Sequence, residues 1–177
     1  ADYGKIPSAI HAMARAIAKF VDLRPAADPK TSWTVGTIKG GTSVNSIAGS
    51  CSVDIDMRST ENESLEAIEA QILSKFEEAV AEENASWAVK DDSYLLTVTK
   101  EMIGNRPAGT RPDDCPVLQA SRSAQKLLGI EMSSYVRSST DANAPMGAGI
   151  PSTCLGTGGR GVHTHNLKEY FEMVDTH

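Results

Sequence analysis

The stretch that most constrains the fold is residues 49–58, in which apolar Cys51, Val53, Ile55 and Met57 alternate with Ser52, Asp54, Asp56 and Arg58. Successive side chains of a strand point to opposite faces, so this period of two predicts a half-buried strand with one face on a core and a polar face free to meet a ligand or partner. A helix follows. Thr60 and Glu63 have capping-box spacing, acids fill the first turn where the helix dipole favours them, and Leu65, Ile68, Ile72, Phe76, Ala79 and Val80 form an apolar stripe. The Glu-rich remainder of that helix reads as its solvated side.

Upstream, Pro7 opens a helix predicted over residues 8–23, with Ile10, Met13, Ala14, Ile17, Ala18 and Val21 at three-and-four spacing and Pro25 and Pro29 behind it. His11 beside this stripe reads as a packed or surface histidine. Residues 33–39 read as a strand closed by the Gly40-Gly41 turn signal, and a last strand is expected within 94–103 before the break at 104–109. Helix, strand, strand, helix, strand is the split βαβ, ferredoxin-like order without its first strand, which would lie before Ala1. The opening residues have neither the charged start nor the apolar segment of a secretory signal, and no initiating methionine, so the start reads as internal to a longer chain.

Beyond Pro112 the pattern changes to a helix over 116–128, a strand over 130–136, a short helix over 140–147, a strand over 150–155 and a helix starting within 166–174. Such alternation indicates a piece of a parallel-sheet α/β domain, too short to hold a whole doubly wound sheet. The expected division is 1–109 and 110–177.

Charge and composition narrow the function. With 17 basic and 23 acidic residues the net charge is −6, spread without a basic run, which argues against nucleic acid and anionic membrane as partners. No apolar run approaches the roughly 20 residues of a membrane helix, and a cytoplasmic location is the expectation. Cys51, Cys115 and Cys154 form neither a disulfide framework nor a thiolate zinc pattern and read as small buried side chains.

The densest chemistry lies in residues 138–171. Gly156, Gly158, Gly159 and Gly161 let the backbone bend and approach a ligand, and His163 and His165 follow at once. The carboxyl end of a strand is where open α/β sheets bind ligands. A His-x-His pair alone defines no metal site, since zinc takes about three or four protein ligands.

STDAN at 139–143, GIPSTCLGTGG at 149–159 and HNLKEYF at 165–171 resemble the carboxyl-terminal signature of the di-zinc metallopeptidase and aminoacylase family, which includes glutamate carboxypeptidase, acetylornithine deacetylase and succinyl-diaminopimelate desuccinylase. In that family a histidine stands four residues before a Glu-aromatic pair; counting back from Glu169 gives His165 as the zinc ligand, with His163 if the loop is shifted by two. The resemblance implies an inserted lid that mediates homodimerisation, matching residues 1–109, and the end of a zinc-exopeptidase catalytic domain. It implies two zinc ions per site in the parent, with cobalt or manganese as alternatives, bridged by an aspartate and a water and served by a glutamate general base. Those ligands belong to the missing amino-terminal part of the parent chain. This fragment alone is expected to be inactive and marginal as a monomer.

By the same resemblance Asn45 in GGTSVNSIAGS and Arg58 in VDIDMRS hold the free carboxylate of a small peptide or N-acyl amino acid substrate, with Gly158 at the substrate's approach. An Arg fork and an amide N–H₂ suit a carboxylate. Plainer roles stand beside these: Arg58 in a surface ion pair with Asp56, Asn45 in a turn. Asp141 and Asn143 either orient the glycine loop and the histidine or cap a helix. Against the hydrolase stands a non-catalytic dimerisation or binding module.

Overall fold

A computed structural model describes residues 5–25, 27–87, 89–130, 135–136, 138–156, 158–164 and 166–174. The chain divides into two compact units, Ala1–Thr110 and Arg111–His177.

In the first unit, α1 (Ala9–Phe20) is followed by the antiparallel hairpin of β1 (Thr31–Gly40) and β2 (Cys51–Ser59), then by α2 (Asn62–Ala85). The register runs from Thr31 opposite Ser59 to Gly40 opposite Cys51, with one irregularity between Val35 and Thr37. β2 obeys its alternation: Cys51, Val53, Ile55 and Met57 are half-buried, and the residues between them are exposed. The inner face of the hairpin packs on Ala16, Phe20, Ile68, Ile72, Phe76 and Ala79. The Phe20 ring lies 5.3 Å from Trp33, edge-on, and 5.5 Å from Phe76. Burying each such side chain contributes about 1.5–3 kcal/mol, so this cluster is the main stabilising feature of the unit.

α1 differs from the sequence reading in its rotation. Its buried line is Ala12, Ala16 and Phe20; Met13 and Ile17 flank the core, and Ile10 and Val21 are exposed. Small alanines allow α1 to lie close against α2, and Phe20 then fills the space at its end. The helix stops at Phe20, three residues before the expected end, where the Arg24 guanidinium donates to the carbonyls of Val21 and Leu23 at 3.0 and 3.1 Å. The Thr60–Glu63 capping box does not form. Thr60 N–H donates to the Lys30 carbonyl at 3.1 Å and stays with the end of the hairpin, so Glu61 takes the N-cap position and donates its N–H to Ser59 Oγ.

One acid of α2 does not belong to the solvated side. Glu83 is fully buried, one turn beyond Ala79 on the core stripe. Its carboxylate accepts from Ser8 N–H at 3.1 Å, Trp87 Nε1 at 3.0 Å and Arg15 Nε at 3.0 Å, with His11 Nδ1 at 3.5 Å. Burial pushes its pKa up, but the bonds from Trp87, Ser8 and Arg15 outweigh this and hold it below the usual carboxylate range. The start of α1 is thereby fastened to the end of α2.

No strand forms in residues 94–103. Asp92–Tyr94 is a single 3₁₀ turn, and residues 95–110 carry no regular structure. Extended backbone becomes a strand only by pairing, and among the described residues β2 pairs with β1 alone.

The second unit contains α3 (Pro116–Leu127), which starts on its proline as expected, α4 (Asn143–Gly147) and the antiparallel pair β3 (Arg160–Val162) and β4 (Tyr170–Glu172). Three expectations are corrected. Residues 150–155 form no strand, having no pairing partner among the described residues. The stretch expected to begin a helix at 166–174 contains β4 instead, because pairing with β3 satisfies its backbone. Among the described residues no parallel pairing forms, so the expected piece of parallel sheet is not assembled. The strand expected over 130–136 lies largely outside the described residues. Among the described residues few side chains are buried here: Cys115 and Leu118 are, while Leu127, Leu128, Ile150, Leu155 and Phe171 are exposed.

Because the folded Glu83 holds its proton more weakly than the unfolded chain, it stabilises the fold fully above the ordinary carboxylate pKa of about 4.3 and progressively less as pH falls through its lowered value. Urea unfolding followed from pH 7 to pH 3 should show this loss. Glu83→Gln should cost about 3 kcal/mol at pH 7, the low end for a broken buried pair because Arg15 is half-exposed, and should flatten the acid dependence.

Candidate functional site

Arg58 lies on the polar face of β2, opposite Ser32 of β1. Its Nε donates to Asp56 Oδ2 at 2.6 Å and its side chain is 59% exposed. The surface ion pair is therefore formed, and at that exposure it is weak enough for a ligand carboxylate to displace. Beside it on the same face, Thr37 Oγ1 donates to Asp54 Oδ2.

Asn45 lies in the loop between β1 and β2, where Ser43 Oγ donates to Asn45 Oδ1 at 2.8 Å and also bonds Ser46 Oγ at 2.8 Å. The hairpin is closed before this loop by the Gly40–Cys51 pair and by Gly41 N–H to the Ser50 carbonyl at 3.4 Å. Asn45 and Arg58 thus occupy opposite ends of the hairpin. Cys51 and Arg58 lie seven positions apart along β2, about 23 Å at the rise of a strand.

In the second unit the TDAN segment forms a turn ahead of α4: Thr140 Oγ1 accepts from Ala142 N–H at 3.3 Å, Asn143 Oδ1 accepts from Thr140 N–H at 2.8 Å, and Asp141 is exposed on the same turn. Near the carboxyl terminus Gly158 and Gly159 take positive φ values of 82° and 70°. At Gly159 the conformation is required twice over, since an added Cβ would also meet the Phe171 ring at 2.1 Å.

The β3–β4 connection carries the histidines. His163 has a φ of 58°, a left-handed conformation that histidine adopts more readily than most residues, and is exposed. Its ring centroid lies 6.3 Å from that of Tyr170, and its carbonyl accepts from Asn166 N–H at 3.0 Å. His165 lies outside the described residues. Among the described residues no three His, Cys, Asp or Glu side chains group as a metal site.

The comparison with protein families bears on the first unit. Residues 1–84 match the family model of the peptidase dimerisation domain. The matched stretch spans α1, the β1–β2 hairpin and nearly all of α2, a mixed helix and small-sheet arrangement consistent with that domain. No curated protein matches the chain. No helix of the described residues is long and apolar enough to cross a membrane.

Sequence reasoning missed Glu83, and the signal for it was present. In the series Ile72, Phe76, Ala79 the next core position is 83, so an acid there needed partners. It also missed Asn62 and Asn84, at the two ends of α2, which hold residues 96 and 108 by backbone hydrogen bonds.

Gly159→Ala should open the β3–β4 pair, seen as loss of amide hydrogen-exchange protection in residues 160–162 and 170–172. Gly156→Ala, where no heavy atom lies within 4 Å of the added Cβ, should leave that protection unchanged.

Proposed function

We propose that this chain is the lid and the end of the catalytic domain of a zinc-dependent hydrolase that cleaves an amide bond in small peptides or N-acyl amino acids with a free carboxylate. The observation that carries the reading is the match of residues 1–84 to the peptidase dimerisation domain, which implies a peptidase parent and self-association. Behind it in the chain come the TDAN turn, the glycine bend and the histidine-bearing loop, in the order the resemblance requires. The exposed apolar side chains of the second unit suit a piece of a larger domain.

Zinc, or cobalt or manganese in its place, would draw one ligand from this chain, His165, or His163 if the loop register is shifted. The remaining ligands and the general base would come from the part of the parent ahead of residue 1. When bound, the metal pair supplies polarisation of the amide carbonyl and an activated water. This chain's own residues bind and orient: the Arg58 guanidinium exchanges Asp56 for the substrate carboxylate, and the backbone at Gly158 leaves room for the substrate to approach.

Asn45 lies in the loop that closes the hairpin, and Arg58 lies near the other end of β2. In a homodimer formed through the lid, the Asn45 end of one copy can face the Arg58 end of the other. A single carboxylate would then meet both side chains, and the site would be complete only in the dimer. The placement of the two residues on the hairpin and the dimerisation match support this reading.

A second reading, a module that only dimerises or binds, is favoured by the match lying on a dimerisation domain and not on a catalytic one. His165→Ala in the intact protein separates the two. Loss of an outer partner of a zinc ligand lowers metal affinity about 10–100-fold, so loss of the ligand itself should lower zinc content and turnover together by about 100-fold or more. Unchanged zinc and turnover would remove the assignment. Mixing Asn45→Ala with Arg58→Ala protein should restore about a quarter of wild-type activity through mixed dimers with one intact site. No restoration would place the two residues in separate roles.

A further inference from the structure

The loop that joins β1 to β2 has a fixed base. Gly41 N–H donates to the Ser50 carbonyl at 3.4 Å, and Ala9 N–H, at the start of α1, donates to the Ala48 carbonyl at 2.9 Å. Ala48 is buried, and Gly41 takes a φ of 75° with Ile10 Cδ1 3.1 Å from the place a Cβ would occupy. Ser8, one residue before Ala9, is held in turn by Glu83. The base therefore moves with the helices, and what remains to be set is the direction of the side chains at the exposed tip, residues 42–46.

Asn45 is one of them. A carboxamide has an oxygen that accepts hydrogen bonds and an N–H₂ that donates them, and only the N–H₂ end attracts a carboxylate. Half a turn about χ2 exchanges the two ends, and this torsion is broad and roughly two-fold, so an amide without a partner samples both. A bond to one end decides between them. Ser43 Oγ donates to Asn45 Oδ1 at 2.8 Å.

A hydroxyl has one hydrogen to donate and two lone pairs to accept with. Because Ser43 donates its hydrogen to Asn45, the donor in the 2.8 Å contact between the Ser43 and Ser46 hydroxyls is Ser46. The hydrogens thus run one way, from Ser46 to Ser43 to Asn45, and each bond polarises the next. Ser46 N–H also donates to the Ser43 carbonyl at 3.4 Å, so backbone and side chain join the two serines together. With its oxygen held on the Ser43 side, the Asn45 amide turns its N–H₂ to the other side.

We infer that Ser43, relayed from Ser46, is a positioning residue that aims the Asn45 N–H₂ at the substrate carboxylate. The inference rests on the role proposed for Asn45 and deepens it: the asparagine alone does not select a carboxylate, because without the hydroxyl its oxygen faces the ligand part of the time and repels it. Ser43 therefore sets the preference for a free carboxylate over a neutral amide.

Two readouts on the intact protein test this. NMR relaxation of the Asn45 side-chain N–H₂ should give an order parameter of about 0.8, falling below about 0.6 in Ser43→Ala and returning in Ser43→Thr, which keeps a hydroxyl on the same carbon. Ser46→Ala should lower it less, since the donor to Asn45 stays. Turnover is read on whichever of a set of dipeptides and N-acetyl amino acids is cleaved fastest. Ser43→Ala should raise KM about fivefold, the factor one net hydrogen bond supplies, with kcat little changed and with Ser43→Thr restoring it. Adding Ser43→Ala to Asn45→Ala should raise KM no further, because the hydroxyl acts only through the amide. An order parameter unchanged by Ser43→Ala or not restored by Ser43→Thr, or KM effects of the two substitutions that add, would overturn the inference. An unchanged KM in Asn45→Ala would instead remove the carboxylate role proposed for Asn45, and Ser43's part in binding with it.

Discussion

The edge of a strand that no neighbour pairs presents bare N–H and C=O groups, and among the described residues of unit 1 β2 is paired on one edge only, by β1. This constraint explains more of the unit than any single side-chain contact. β2 must place its apolar residues on Phe20, Ile72 and Phe76, so its position is fixed by the core. Its unpaired edge is fixed with it, and the gap of about 780 Å³ between that edge and residues 95–106 persists because α2 holds the far side through Asn84, Glu69 and Asn62. The same helix buries the core, carries Glu83 and positions that far side. Changes on α2 should therefore be felt at every edge of the sheet.

Apolar packing, one buried carboxylate and the more exposed pairing of Lys19 with Glu82 at 2.7 Å and Glu78 at 3.8 Å join the helices. Packing is non-directional and would tolerate some rotation of α1 about its axis. The Glu83 bonds are directional, tying the N–H of Ser8 and the guanidinium of Arg15 to one point on α2, so they select the rotation in which Ala12 and Ala16 face inward. Among the described residues the second unit has no equivalent. With few buried side chains and a three-residue pair of strands, its local stability must lie well below that of the first, which suits a segment that completes its packing against other parts of a larger protein.

How much of this was legible in the sequence depended on how local the cause was. The alternation of Cys51 through Arg58 and the stripe of Ile68, Ile72, Phe76 and Ala79 specify their own periods and were readable directly. The rotation of α1 was not, because apolar spacing permits several faces and a distant acid chooses among them. The strands expected at 94–103 and 150–155 failed because pairing is not a local property, and β4 formed where a helix was expected because β3 supplied that pairing. At the candidate site the ion pair of Arg58 with Asp56 was readable from their i, i+2 spacing on one strand face; the register that sets Arg58 opposite Ser32 depends on pairing and was not.

The most direct measurement is the mass of the chain in solution by sedimentation equilibrium over a range of concentrations. The match of residues 1–84 to a dimerisation domain predicts twice the monomer mass of 18.8 kDa. A monomer mass at every concentration would contradict it.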